Sequence, residues 1–303
     1  MTVLALTGAT GFVGKTVIRL ALDKGFAIRA LTRRPQEPRH GITWIEGALD
    51  TPEALRDLAR GADAVLHIAG VVNARNRAGF AAANIAGTQA VVDAAAAEGV
   101  RRFIHVSSLS AREPELSNYG WSKAGAEEAV AASGLDWTMV RPPAIYGPED
   151  TEMLEMFRMA RRGLVMLPPA GRFSVIEVSD LARLLLALVT DRQSFGQIYE
   201  ADDGIATGWS HRGFSLALGA ALGRKVSTMA MPKAALRIAS RMDRIVRRGG
   251  AKLTADRVDY LCHPDWVIDP AKRPPASLWQ PQVNTRGGLK ATAAWYRRKG
   301  WLA

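Results

Sequence analysis
The chain has 303 residues, 48% of them hydrophobic and 23% charged, a balance that excludes a disordered protein and leaves room for a sizeable core. Its longest unbroken apolar stretch, Leu184 to Val189, is far too short to cross a bilayer, and its one cysteine, Cys262, excludes an internal disulfide and a thiolate zinc site. The formal net charge is +11, and it is concentrated in the C-terminal third of the chain.

Met1-Thr2 leads directly into the apolar run Val3–Leu6 without a basic n-region or cleavage site, so no secretory signal and a cytoplasmic location are expected. That run ends in Thr7-Gly8-Ala9-Thr10-Gly11-Phe12-Val13-Gly14. A strand that stops at glycines spaced three apart and enters a helix lets peptide N–H groups approach a pyrophosphate at the helix N-terminus. Gly8 takes the tight turn, Gly11 lets the backbone close on the phosphates, and Gly14 lets helix and strand pack. A helix over Lys15–Lys24, closed by Gly25, leads to a second strand, Ala27–Leu31. It ends in Thr32-Arg33-Arg34, where an acidic residue would suit NAD(H) and a guanidinium suits a 2′-phosphate, so NADP(H) is favoured over NAD(H).

Further strands are expected at Thr43–Ile45, Ala64–Ile68, Arg102–Val106 and Trp137–Val140, with helices at Gly87–Glu98 and from near Tyr119 to before Gly134. This alternation predicts an α/β protein with a Rossmann-type, doubly wound parallel sheet. The fifth strand leaves through Ser107-Ser108, and Tyr119 and Lys123 follow, four residues apart on one helix face. An ammonium beside the phenol favours phenolate, which brings a group of unperturbed pKa about 10 within reach of proton exchange near neutral pH. Ser108 would then hold a substrate oxygen.

After Arg141-Pro142-Pro143 the pattern loosens. Val175–Val178 and Gln197–Glu200 read as short strands flanking a helix at Leu181–Val189 and are expected to rejoin the sheet. The expected division is a nucleotide-binding domain over 1–150, joined by 174–202, and a smaller C-terminal substrate-binding lobe over 203–303 with 151–173. Met153, Met156, Phe157 and Met159, with Met166 and Leu167, read either as the core of that lobe or as an apolar ligand surface; with Trp121 they point to a small apolar substrate. His40, His105, His211 and His263 lack metal-ligand spacing, and no metal is expected.

Residues 205–303 carry 18 lysines and arginines against 5 acidic residues, whereas residues 1–204 carry 22 against 24. The densest part, Lys233 to Arg248, is a basic amphipathic helix, read as a solvated face on a packed helix or as a weak contact with an anionic membrane surface. Nucleic acid is not an expected partner. A final helix is expected over Gly288–Lys299.

Taken in order, these motifs resemble an extended short-chain dehydrogenase/reductase of the NAD(P)-dependent epimerase/dehydratase-like group, over nearly the whole chain. The resemblance rests on Thr7–Gly14, His67-Ile68-Ala69-Gly70, Asn84-Ile85-Ala86-Gly87-Thr88, Ser107-Ser108, Tyr119 with Lys123, Arg141–Pro148, Val178-Ser179-Asp180-Leu181-Ala182 and, near the C-terminus, Gly288-Leu289, Thr292 and Trp295-Tyr296. It implies that Ser108, Tyr119 and Lys123 are catalytic, with Tyr119 and Lys123 also touching the cofactor. It implies a cofactor site of Gly8, Thr10, Gly11, Phe12, Val13, Thr32, Arg33, Arg34 and Leu49, with Ile68, Ala69 and Gly70 on the phosphate and ribose side and Pro142, Ala144 and Ile145 around the nicotinamide. The expected activity is reversible hydride transfer between NADP(H) and a carbonyl or alcohol carbon, with Tyr119 as acid/base, Lys123 lowering its pKa and Ser108 polarising the carbonyl. The alternatives are a non-catalytic NADP(H)-binding structural or sensor protein, similar to an accessory subunit of respiratory complex I, and a nucleotide-sugar epimerase or dehydratase. Ala48 and Glu177 depart from residues frequent in the family, and the short interval between Ser108 and Tyr119 argues against a sugar substrate. The resemblance also implies a homodimer through the helices near 87–98 and 119–133.

Overall fold
The computed structural model describes residues 1–247 and 254–302, so Arg248, the end of the basic segment, lies outside the described residues. In chain order the elements are β1 (Val3–Thr7), α1 (Phe12–Asp23), β2 (Ala27–Thr32), β3 (Ile42–Glu46), α2 (Pro52–Ala59), β4 (Ala64–His67), α3 (Arg77–Phe80), α4 (Gly87–Ala97), β5 (Arg102–Val106), α5 (Asn118–Ala131) and β6 (Asp136–Val140). The chain continues with β7 (Ala144–Tyr146), α6 (Leu154–Arg161), β8 (Leu164–Leu167), β9 (Arg172–Phe173), β10 (Val175–Glu177), α7 (Val178–Leu188), β11 (Gln197–Tyr199) and β12 (Trp209–Ser210). It ends with α8 (His211–Leu222), β13 (Ser227–Ala230), α9 (Lys233–Arg247), α10 (Ala255–Leu261), β14 (Asp265–Trp266) and α11 (Thr285–Arg298).

A seven-stranded sheet in the order β11-β6-β5-β4-β1-β2-β3, parallel throughout, forms the centre of the first compact unit. β4 and β5 are buried at every position, because a parallel sheet covered by helices on both faces leaves no wet side. Leu55, Leu58, Val65, Val91, Val92, Phe103 and Val130 fill one layer of this core. Arg102 is buried at the start of β5, where its guanidinium donates to the carbonyls of Leu188 (2.6 Å) and Asp136 (2.7 Å) and to Ser194 Oγ (3.0 Å). Those bonds tie the end of α7 and the approach to β11 into the same unit.

The first unit comprises residues 1–142, 181–200 and 272–280, and the second 143–180, 201–271 and 281–303. The division therefore differs from the expected one: 143–150, 174–180 and 201–202 go with the second unit, and 272–280 with the first. The reason is strand pairing. β10 pairs with β7, Val175 beside Ala144, instead of joining the large sheet, and only β11 takes the place next to β6. In the second unit Phe157, Phe214, Trp209 and Tyr296 build an aromatic core, with Phe157 edge-on to Tyr296 at 5.2 Å. Met153 and Leu167 are buried in this core and Met156 and Met159 pack against it, so of the two readings of that cluster these residues take the core one; Met166 points outward. α11 starts at Thr285 rather than Gly288, because Asn284 caps it by accepting from the Gly287 N–H.

Candidate active site
At the end of β1 the backbone turns at Gly8, which has a left-handed φ of +72°, and α1 begins after Gly11 with no side chain capping its first amides. A Cβ on Gly8 would meet the Ala69 backbone N at 2.8 Å, and one on Gly14 would lie 2.1 Å from Gly8 O. Gly11 is different: its nearest neighbour is Gly8 O at 3.3 Å, so the missing side chain there opens space rather than relieving a clash. Uncapped amides with no acidic residue in the first turn of α1 form a cradle that fits the pyrophosphate of a dinucleotide. Thr10 and Gly11 are exposed, Phe12 is half-buried and Val13 is buried.

β2 ends where the Thr32 hydroxyl donates to the Arg34 carbonyl (2.7 Å), folding the backbone so that Arg33 and Arg34 both stand exposed. Leu49 packs instead against the start of α4, where a Cβ on Gly87 would meet its Cδ1 at 2.8 Å. Ile68 and Ala69 are half-buried after β4, and Gly70 is exposed.

Ser108, Tyr119 and Lys123 come together at the C-terminal end of β5. The short interval between Ser108 and Tyr119 contains two 3₁₀ turns, at Leu109–Arg112 and Pro114–Leu116. Ser117 then caps α5 by accepting from the Gly120 N–H at 3.0 Å, which places Tyr119 in the first turn. A Cβ on Gly120 would sit 2.6 Å from Ser110 O, so the helix can press against the first 3₁₀ turn only with glycine there. The Ser108 hydroxyl accepts from the Ser110 hydroxyl at 2.8 Å and lies close enough to the Tyr119 phenol to favour its ionised form. Lys123 is buried, and its Nζ donates to Val106 O (2.9 Å) and approaches His105 Nε2 (3.5 Å).

Burial disfavours the charged Lys123 and lowers its pKa to about 8, against an opposing pull from Glu127. Burial also raises the Tyr119 phenol above its ordinary value, and Ser108 only partly offsets this. The expectation of a phenol lowered by Lys123 is therefore corrected: desolvation dominates, and the ammonium is anchored to the end of β5. Trp121, expected to greet an apolar substrate, carries the Arg77 guanidinium 3.8 Å above its ring.

Beneath these residues lies a buried polar chain that the sequence reading did not assign. Thr7 Oγ1 accepts from the Ala69 N–H (3.2 Å) and is hydrogen-bonded to His67 Nδ1 (2.6 Å). Thr88 Oγ1 gives its proton to Asn84 O (2.6 Å), which leaves it to accept from His67 Nε2 (3.0 Å). The Thr88 bond assigns a proton to His67 Nε2, and burial holds the ring's pKa down at about 3 and so keeps it neutral. Asn84 sits on a π-helical turn, Ala81–Ala86, of the kind that often marks functional sites. Its amide bonds both backbone groups of Val71 (2.8 and 3.0 Å) and donates to Ser122 Oγ (2.9 Å), which donates to Tyr119 O (2.8 Å). Glu127, one turn beyond Lys123, accepts from Ser107 Oγ (2.5 Å) and pairs with Arg141 (2.5 Å). Thr7, His67, Asn84, Thr88, Ser107 and Arg141 stood inside the recognised motifs, which were the sequence signals for this support.

Pro142 belongs to the first unit, where its carbonyl accepts from the Leu109 N–H (2.9 Å). Ala144 and Ile145 lie in the second unit, on β7. Among the described residues no group of three or more His, Cys, Asp or Glu could hold a metal ion, and no helix is long and apolar enough to cross a membrane.

A family model described as NAD(P)H-binding matches residues 8–192. Ceramide reductase of Caulobacter vibrioides is 35% identical to this chain over 311 residues, covering 99% of this chain and 96% of that protein. The 2-alkyl-3-oxoalkanoate reductase of Stenotrophomonas maltophilia is 28% identical over 326 residues, covering 95% and 98%. Among solved structures, MoeE5 in complex with UDP-glucuronic acid and NAD matches with a TM-score of 0.75 and 21% identity over 99% of this chain and 100% of that one, a likeness of fold. The glycine cradle, the parallel sheet and these relatives make the chain a member of the NAD(P)H-binding, extended short-chain dehydrogenase/reductase family and an NAD(P)-dependent oxidoreductase.

Proposed function
We propose that this oxidoreductase uses NADPH to reduce a ketone carried on an aliphatic, lipid-like substrate, with Tyr119 as the proton donor. One relationship carries the reading: the Tyr119 phenol lies beside Ser108, which favours its ionised form, while the Lys123 ammonium is buried one turn along the same helix. The bound nicotinamide supplies a hydride to the carbonyl carbon. Tyr119 gives its proton to the carbonyl oxygen, and a phenol held protonated by burial is suited to that direction. Ser108 polarises the same oxygen by donating to it. Lys123 holds a positive charge below the phenol and faces the backbone of Gly70, where a Cβ would stand 4.0 Å from its Nζ. The amides after Gly11 would hold the pyrophosphate, Arg33 and Arg34 would hold a 2′-phosphate with Thr32 fixing the turn that exposes them, and Ile68, Ala69 and Gly70 would line the ribose side.

The substrate class draws support from the names of the relatives, reductases of ceramide and of 2-alkyl-3-oxoalkanoate, both aliphatic-chain compounds. The test is NADPH oxidation by the purified chain over ketones of increasing alkyl length, repeated with NADH and with Arg33→Ala and Arg34→Ala. Turnover that rises with chain length, with an NADPH preference of at least about tenfold that collapses in the variants, supports the proposal. Turnover only on short polar carbonyls overturns the substrate class, and equal use of NADH overturns the cofactor assignment.

A further inference from the structure
We propose that α9 is a docking element for an anionic lipid bilayer. The inference does not rest on the reductase reading, since it concerns a surface of the second unit and reads no chemistry.

Two stripes run side by side along the exposed half of α9. Lys233, Arg237 and Arg241 recur every fourth residue, and so do Ala234, Ile238 and Met242 beside them. Leu236, Ala239, Ser240 and Asp243 turn the other way and are partly or fully buried. A helix packed on a folded domain ordinarily buries its apolar stripe, yet Ile238 and Met242 are 59% and 61% exposed. The outward apolar residues are therefore additional to those that hold the helix in place.

The approach to α9 has the same character. β8 and β13 pair with Met166 opposite Met229, and these side chains are 53% and 47% exposed. The Met231 N–H donates to Leu167 O at 2.8 Å, so the chain leaves this apolar ribbon and enters α9 within two residues.

Charge decides the occupant. Lys233 and Arg237 share a single carboxylate, Asp259 on α10, at 2.7 and 3.1 Å, so the stripe keeps a net positive charge. It lies in the third of the chain where 18 basic residues meet 5 acidic ones. A second copy presenting the same basic face would be repelled. Nucleic acid would use the cations and leave the apolar stripe wet. A bilayer with anionic headgroups uses both: phosphates meet Arg237 and Arg241 while Ile238 and Met242 enter the boundary between headgroups and acyl chains.

The experiment is co-sedimentation of the full chain with phosphatidylcholine vesicles, with and without phosphatidylglycerol, at low and high ionic strength. Two double variants accompany it, Arg237→Gln with Arg241→Gln and Ile238→Ser with Met242→Ser, each checked for native circular dichroism and an unchanged nucleotide titration. The expected result is binding to the phosphatidylglycerol vesicles that falls at least about tenfold with salt, without the anionic lipid, and in each variant. The salt series on the unaltered chain decides the matter if a variant misfolds. No binding at low salt, equal binding to neutral vesicles, or indifference to the Ile238 and Met242 changes overturns the proposal. So does a dimer in sedimentation velocity that the serine variant dissolves. Turnover of a short, water-soluble ketone remains in both variants if the reductase reading is right, so the two proposals fail separately.

Discussion

The ammonium of Lys123 donates to the carbonyl of Val106 at 2.9 Å, so the most buried charge of the candidate site is held by the backbone end of β5 and not by a carboxylate. A charge in that position is stabilised less than it would be in water. Its proton is therefore released early, at about pH 8 instead of the ordinary 10.5.

Stability should carry the mark of this. Below pH 8 the amine is protonated in folded and unfolded chains alike, and the folded state bears the full penalty of the buried charge. Between pH 8 and 10.5 the unfolded chain still binds a proton that the folded chain has lost, so this group makes stability rise with pH. Lys123→Met is expected to be more stable than the unaltered chain at pH 7, by up to about 3 kcal/mol, with the advantage closing as pH rises toward 10.5. Urea titrations across that range measure it, and a difference that does not change with pH contradicts the buried-charge account.

Catalysis should respond in the opposite sense. Reduction needs the protonated phenol and the ammonium beneath it, so reductive kcat/KM is expected to fall as pH rises through about 8, the Lys123 value. Lys123→Arg keeps the charge at all working pH values and should move that fall upward while lowering the maximum rate. Initial rates at subsaturating ketone between pH 6 and 10 show whether the limb belongs to Lys123.

Tyr119→Phe removes only the phenol oxygen. Turnover is expected to drop by about 10²–10⁴-fold, while NADPH affinity measured by nicotinamide fluorescence changes less than about twofold. Retained turnover excludes Tyr119 as the proton donor.

The distinction between what was legible in the sequence and what was not follows the range of the interactions. β1, the glycine turn and the pair Tyr119 and Lys123 were legible because each is a local pattern: an apolar run, a turn that needs Gly8 at φ +72°, a four-residue helical repeat. β10 was legible as a strand and misplaced as a partner, because three residues carry no address and pairing with Ala144–Tyr146 is decided by the folded second unit. The direction of the Tyr119 shift was illegible for the same reason, since desolvation depends on what the rest of the chain lays over the ring. Asn84 stood inside a recognised motif, yet its job of joining Val71 to Ser122 exists only once the π-helical turn has brought the two together.

That linkage can be tested directly. Asn84→Ala leaves both backbone groups of Val71 and the Ser122 hydroxyl without their partner on the π-turn. Loss of these buried bonds is expected to lower stability by about 1–3 kcal/mol and to reduce kcat more than it raises KM, since the helix start carrying Tyr119 is no longer held. Asn84→Asp keeps the acceptor for the Val71 N–H but sets an oxygen against Val71 O and buries a carboxylate, so it is expected to lose at least as much stability as Asn84→Ala at pH 7. Unchanged stability and kcat in Asn84→Ala count against the linkage.

The two glycines of the nucleotide turn give the sharpest contrast between folding and binding. Gly14→Ala places a Cβ 2.1 Å from Gly8 O and 2.8 Å from the Ala9 Cα, all backbone atoms that no side-chain rotation can clear. It is expected to destabilise the fold by about 3 kcal/mol, because helix and strand must separate. Gly11→Ala meets nothing closer than 3.3 Å at an ordinary extended backbone, φ −80° and ψ 175°, so the fold should tolerate it. The added methyl instead stands where the peptide amides must close on a pyrophosphate, and nucleotide affinity should fall at least about tenfold. Thermal unfolding and nucleotide titration of both variants separate the roles: if Gly11→Ala binds NADPH as well as the unaltered chain does, the phosphates do not lie against this turn.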